Sequence, residues 1–377
     1  MADFDFLIIG SGIAGASAAA RLAGRARVGL FEREGAHGYH TTGRSAALWS
    51  ALYGNDPIRA LTVGSRAFYD NPPAGFTEAP LLKPRGCLYF AGPDQLSRLD
   101  EIAGGASALG IETRRLGSAE AVALCPVLRA DLVAGALHEL DAMDIDVNAL
   151  HQGFLRQCKA LGGDIRTGAE VVALDEAPGG GWIARLADGQ KVTAGVVINA
   201  AGAWADAVAR MAGIPCVDLR PLNRTAFLLE TPQGVDAAAW PAMIEADEAF
   251  YFKPESGRIL VSPCDETPSA PCDAWPDDFT IAECVERLQE WADIPVRRIL
   301  RSWAGLRSFV ADRTPVIGFE PGFDGFFWLA GQGGYGVQTA PAAGRTAAAL
   351  ALGEGLPGDV AALGLKAEQL SPARFRN

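Results

Sequence analysis

Three continuous apolar runs, one at the start of the chain, one near its middle and one close to its end, each meet a turn of small residues and then an alanine-rich segment. Residues 4–9 (FDFLII) lead into GSGIAG and ASAAARLAG, and a further apolar run, VGLFE at 28–32, completes the unit. Strand, glycine turn, helix and strand make a βαβ unit. The unbroken apolar strands predict a parallel sheet covered on both faces. The same order returns in KVTAGVVINAAG (191–202), followed by AWADAVARMAG, and in FFWLAGQGGYG (326–336), followed by VQTAPAAGRTAAAL.

Between these runs the texture differs. After residue 48 come mixed segments broken by proline (NDP, NPPAGF, APLLKP) around a strand-like GCLYFAG. DIDVNALHQGFLRQCKALGG (144–163) predicts a helix with Asp146 or Asn148 as its cap. GAEVVALDEA and GWIARLADGQ then alternate as strands do, and from 216 to 310 TAFLLE, AFYFKP and RILVSP predict strands with one helix near 279–292. The pattern gives two interleaved domains. One is α/β and Rossmann-like, comprising 1–48, 144–215 and 310–377. The other, 49–143 and 216–309, is α+β, built on a mostly antiparallel sheet, and covers the first.

Charge removes some function classes. The net charge of -12 and the lack of a basic run argue against nucleic acid as a partner, since such binders displace counterions with clustered Lys and Arg. The seven cysteines (Cys87, Cys125, Cys158, Cys216, Cys264, Cys272, Cys284) are scattered and contain no CxxC, which predicts no metal and a reduced, cytoplasmic setting. MADFDFLIIG lacks a basic flank and reads as a buried strand, not a signal peptide. No apolar run reaches the roughly 18–20 residues that span a bilayer, so any membrane contact is expected to be peripheral.

Gly10, Gly12 and Gly15 stand where a dinucleotide fingerprint needs a tight turn, a close backbone approach to pyrophosphate, and helix-on-strand packing. The following helix N-terminus offers free N–H groups. Glu32, at the end of the second strand, is placed to accept hydrogen bonds from a ribose, and an acid there disfavours a 2′-phosphate. The motif alone does not separate FAD from NAD.

GYHTTGRSAAL (38–48), WAGLRSFVADRTPVIG and FFWLAGQGGYGVQT together resemble the D-amino-acid oxidase-like superfamily of FAD oxidoreductases. FYDNPPAGF, DIDVNALHQGFLR, NAAGAW, FYFKP and WAGLRSFVAD make the likeness closest to the D-arginine dehydrogenase type. The segments run through the whole chain in the family's order. The resemblance implies non-covalent FAD, with Gly10, Gly12, Ile13, Ala14 and Gly15 at the pyrophosphate and Glu32 at the adenosine ribose. It places Arg33, Thr41, Thr42, Gly43, Arg44, Ser45, Ala46 and Ala47 along the cofactor, Val171 at adenine, and Ala201 and Gly202 beside the pyrophosphate. Gly331, Gly333, Gly334, Tyr335, Gly336, Val337, Gln338 and Thr339 are expected to bring backbone and a helix N-terminus to the flavin, with Arg307 also against the cofactor. No second nucleotide is expected there, because no acid-tipped parallel strand follows that turn.

For the substrate, the resemblance points to Arg307 and Arg224 as guanidinium forks for a carboxylate, to Tyr53 and Tyr251 as hydroxyls over the site, and to Gly334 as carbonyl acceptor for an amine. Leu48, Cys87, Ala242, Ile244 and Gln338 are expected to line the side-chain pocket. Cys87 stands where an acid would suit a cationic side chain, and Leu48 where a polar residue would. The expected reaction is therefore oxidation of a neutral or hydrophobic D-amino acid to the imino acid, by hydride transfer from Cα to flavin N5, then hydrolysis to 2-oxo acid and ammonia. A quinone-like acceptor or oxygen would reoxidise the flavin. The acids Glu245, Asp247 and Glu248 form the weak point, since a one-residue shift in register turns an acid into the pocket. Three readings stay open beside this one: a glycine, sarcosine, proline or 2-hydroxy-acid enzyme of the same fold, an FAD-containing RNA-modifying protein, and a non-catalytic nucleotide sensor.

Overall fold

In the computed structural model, which describes residues 2–108 and 110–376, strand β1 (Phe4–Ile9) runs through the middle of an eight-stranded sheet with every residue but Asp5 buried. It pairs in parallel with β2 (Val28–Phe31) on one side and with Lys191–Asn199 on the other, and the latter pairs in parallel with Phe326–Ala330. The three apolar runs are thus neighbours, and all three turns open on one edge of the sheet. That edge, at the carboxyl ends of the strands, is where open α/β sheets bind ligands. Val171–Glu176, Trp182–Leu186 and Val316–Phe319 join antiparallel.

Three helices cover one face. Helix α1 (Ile13–Leu22) is flanked by Val147–Ala160, capped by Asp146 as expected, and by the late helix Gly336–Ala351. The late helix carries Pro341 in its interior. A proline there cannot donate to the carbonyl four residues back, and it crowds that turn. Helix α2 (Asp56–Asp70) repairs the damage: Tyr69 Oη donates to Val337 O at 2.6 Å, and Ser65 Oγ accepts from Ala342 N at 3.0 Å while donating to Thr339 O.

This arrangement differs from the 48/49 boundary expected from sequence. Ala60, Leu61 and Tyr69 of α2 share one core with α1 and the late helix. A small sheet of Leu48–Trp49, Leu82–Pro84 and Met143–Ile145 also straddles both that boundary and the one at 143/144. The proline-rich texture of the region hid a helix whose apolar face belongs to the first unit.

The second sheet has nine strands and one parallel pair, Ala242–Glu245 with Cys87–Ala91. Its longest strand, Arg220–Glu230, pairs antiparallel with Arg301–Phe309 from Arg220↔Phe309 to Leu228↔Arg301. Leu222 therefore lies opposite Arg307, and Arg224 opposite Gly305. Two residues apart on a pleated ladder means the same face, so both arginines point together toward the carboxyl edge of the first sheet.

Candidate functional site

A groove of ≈ 330 Å³ follows that edge. At one end Gly10 takes a φ of +100°, and an added Cβ there would come 2.5 Å from Ala200 O. Helix α1 begins without a side-chain cap, so its first N–H groups are open except that of Ile13, which donates to Thr42 Oγ1 at 3.0 Å. Buried Glu32 accepts from Ser11 N and Ser11 Oγ, both at 2.9 Å, and from Glu34 N at 3.0 Å. These bonds fix the carboxylate at the groove wall and leave lone pairs for a ribose hydroxyl. Val171, Ala201 and Gly202 line the opposite wall with Trp204, whose ring carries the Arg33 guanidinium 5.0 Å from its centroid.

The other end is formed by the late turn. The late helix also starts without a side-chain cap, at Tyr335, so a second open N-terminus faces the same groove. Nearby, Ser308 Oγ and Gln332 Nε2 are buried in the groove wall without a partner among the described residues. Buried polar atoms without a protein partner call for water or a ligand, and these two face the groove. Two helix N-termini, a ribose acceptor and two unpaired polar atoms along one trough fit a long polar cofactor such as FAD.

Most of the expected cofactor residues line this groove: Gly10, Gly12, Ile13, Ala14, Glu32, Arg33, Thr41, Thr42, Arg44, Ser45, Val171, Ala201, Gly202, Arg307, Gly331, Gly333, Gly334, Gly336 and Val337. Gly15 does not. Its place is against the Gly10 carbonyl, which an added Cβ would meet at 2.0 Å. Gly43 sits under Gly38, and Thr339 bonds back to Tyr335 O within the helix turn. The Arg44 guanidinium turns away, to Asp273 and to the carbonyls of Ala274 and Ala304, and so braces the 41–45 loop against the second unit. Ala46, Ala47 and Gln338 line a second, smaller cavity instead.

That cavity, ≈ 80 Å³, brings together Tyr53, Arg224, Tyr251, Arg307 and Gly334. Gly334 is approached so closely that an added Cβ would lie 3.0 Å from Arg307 Nε and 3.2 Å from Tyr53 Oη. The two arginines are not equivalent. Arg224 donates to Asp265 O at 2.8 Å and to Glu266 at 3.1 Å, whereas Arg307 has no side-chain hydrogen bond or ion pair among the described residues. Burial lowers the pKa of both, and the like charge of Arg224 lowers that of Arg307 further; Tyr53, Cys264, Tyr251 and Glu266 bring the net shift of Arg224 upward. Burial likewise raises Tyr53 and Tyr251, keeping them as neutral donors. The result is an uncompensated guanidinium in a cleft with two hydroxyls, an anion site.

Leu48, Ala242 and Ile244 form the apolar side, with Ala242 and Ile244 on one face of their strand as alternation requires. Cys87 is a correction. It is fully buried in an apolar cluster with Leu52 and Leu137, and Tyr89, two residues on and facing the same way, supplies the cavity wall. Ser50, Glu248, Lys253 and Cys264 line the cavity without having been picked out from sequence as pocket residues. Glu245 keeps its register and points away, accepting from Asp247 N and Ala249 N. The acid arrives by another route: Glu248, in a left-handed turn at φ +57°, sits at the rim in the field of Arg224. Desolvation raises its pKa against that pull. Lys253 is buried but committed to Asp144 at 2.7 Å and Glu255 at 3.0 Å. Among the described residues there is no cluster suited to a metal and no helix long and apolar enough to cross a membrane.

A family model described as FAD dependent oxidoreductase matches residues 5–350. The FAD-dependent oxidoreductase domain-containing protein 1 of Bos taurus is 27% identical over 183 residues, 43% of this chain and 37% of that protein, so the chain aligns with little more than a third of that relative's length. The crystal structure of glycine oxidase from Geobacillus kaustophilus superposes with a TM-score of 0.84 at 22% identity, covering 96% of this chain and 98% of that one. Iminodiacetate oxidase from Chelativorans sp. BNC1 superposes with 0.80 at 25% identity, covering 97% and 98%. These matches hold at the breadth of the family, which is coarser than the D-arginine dehydrogenase likeness. With the groove, its open helix ends and its buried carboxylate in place, the chain belongs to the FAD dependent oxidoreductase family, and FAD is its cofactor.

Proposed function

We propose that the chain oxidises a neutral α-amino acid of D configuration to its imino acid, which water converts to the 2-oxo acid and ammonia. One observation carries the reading: Arg307, a guanidinium without a protein partner, stands beside Gly334 at the mouth of an apolar cavity. Arg307 binds the substrate carboxylate, and Tyr53 and Tyr251 add hydroxyl donors. Arg224, held by Asp265 and Glu266, lends charge from a fixed position. The Gly334 carbonyl accepts from the amine, so three points orient Cα. Leu48, Ala242 and Ile244 exclude water from the side chain, and a dry pocket lowers the ammonium pKa toward the reactive neutral amine. Bound FAD supplies the two-electron oxidation, and oxygen or a quinone-like carrier takes the electrons onward.

Glu248 belongs to the arginine side of the cavity, so the apolar end keeps its preference for uncharged side chains. The test is anaerobic bleaching of the holoprotein with a panel of D-amino acids. Neutral members are expected to reduce it fastest, and preference for D-Arg or D-Lys overturns the reading. A second reading, glycine or an N-substituted glycine, is favoured by the ≈ 80 Å³ cavity and by the likeness to glycine and iminodiacetate oxidases. Faster bleaching by glycine, sarcosine or iminodiacetate than by D-Val or D-Leu selects it.

A further inference from the structure

Behind the cavity wall lies a carboxyl group that the reading above does not use. Glu139, at the end of strand Gly135–Glu139, is fully buried and forms no ion pair among the described residues. Its Oε2 accepts from Ser50 Oγ at 2.6 Å and its Oε1 from Ala51 N at 2.8 Å. Tyr89 stands beside Ser50, and both line the substrate cavity. A carboxyl and a serine hydroxyl, with a tyrosine hydroxyl beside them, therefore run from the interior to the wall of the cavity that Gly334 also lines.

The surroundings leave Glu139 without a cation. Cys87 and Tyr89 face it from the adjacent strand, and its partner on the other side, Thr113, carries no charge. Asp141 lies just beyond its own strand and pairs with Arg66 at 2.5 Å, and Arg59 of α2 is taken by Leu52 O and Asp56. An unpaired buried carboxylate is unfavourable, so the group holds its proton to higher pH and is able to exchange it near neutrality. Burial accordingly pushes the Glu139 pKa up to about 7, with bonds from Ser50, Ala51 and Leu52 opposing.

We propose that Glu139 is the proton sink of the site: it receives, through Ser50, the proton that the substrate ammonium must lose before oxidation. The inference rests on the reading that an α-amino acid enters the cavity. In the step, the ammonium N–H breaks as Ser50 Oγ takes the proton, and Ser50's own proton passes to Glu139. Two protons shift in concert for a net transfer of one from nitrogen to carboxylate, no electron moves, and Tyr89 flanks the serine at the cavity wall. Glu139 acts through Ser50 and is a positioning residue for that hydroxyl as well as its acceptor.

The test is the rate of anaerobic flavin reduction against pH for the wild-type holoprotein, Glu139→Gln and Ser50→Ala, with FAD content and propionate affinity measured in parallel. Wild type is expected to gain rate as pH rises through about 7. Both variants are expected to be slower by roughly 10²-fold at pH 7, with the inflection displaced to alkaline pH, while propionate, which lacks the amine, binds within about twofold of wild type. Ser50→Ala keeps the carboxyl and its backbone bonds, so it reports on the relay even where Glu139→Gln fails to fold. A wild-type pH profile in Ser50→Ala, or propionate affinity lost in proportion to rate, overturns the inference. Bleaching of wild type by no amine at all overturns the substrate reading first, and this one with it.

Discussion

The two glycine turns look alike in sequence and do opposite kinds of work. In the first, the close contacts are backbone on backbone: Gly15 against the Gly10 carbonyl, and Gly10 against Ala200. In the second they are backbone on side chain, with Gly334 against Arg307 and Tyr53, and Gly333 against the Phe309 ring. The first turn is closed by the fold itself. The second is closed around Arg307 and Tyr53, and on the proposed function this difference separates holding one end of the cofactor from meeting the substrate as well.

Gly15→Val breaks the comparison hardest. Its side chain would begin 2.0 Å from a carbonyl oxygen that cannot move without unseating β1, so FAD and soluble protein are expected to be lost together. Flavin absorbance per purified chain reads this out, and a yellow Gly15→Val protein would equate the two turns. Next comes Arg307→Met, expected to remove about 2–5 kcal/mol of substrate binding and transition-state stabilisation, seen in kcat/KM, while FAD stays bound. Gly334→Val is expected to slow reduction more than it lowers FAD retention. Equal losses would place Gly334 with the first turn. The smallest effect is expected from Tyr69→Phe, which leaves Val337 O unpaired below the second turn. A loss of about 1–3 kcal/mol in denaturant unfolding, with little change in substrate preference, is the expected result.

The first turn was legible because its logic is local. An apolar strand, three glycines and an acid at the next strand end all lie within about thirty residues, and periodicity places each one. The arginines were reached through likeness, and the register Leu222↔Arg307 then explains why they meet. The cavity wall was less legible. Whether Cys87 or Tyr89 faces the substrate depends on how far along the strand the cavity opens, since both project from the same side. Glu248 enters through one left-handed residue, which no alternation rule anticipates. Ser308 and Gln332 sit between motif residues and read as spacers, and only their lack of partners in the folded chain marks them. Helix α2 was hidden for a different reason: its apolar face is complementary to a proline-bearing helix more than 250 residues later.

That last pairing also sets a timetable. Tyr69 and Val337 are 268 positions apart, and the strand Phe326–Ala330 completes a sheet begun at Phe4. A nascent chain on the ribosome owns the whole first turn almost at once, yet lacks the other end of its groove until the turn at 331–336 has been made. Flavin capture on this plan is a late event of biosynthesis. Colour in the purified protein then certifies a chain translated past the late helix, and products terminated before it are expected to be colourless.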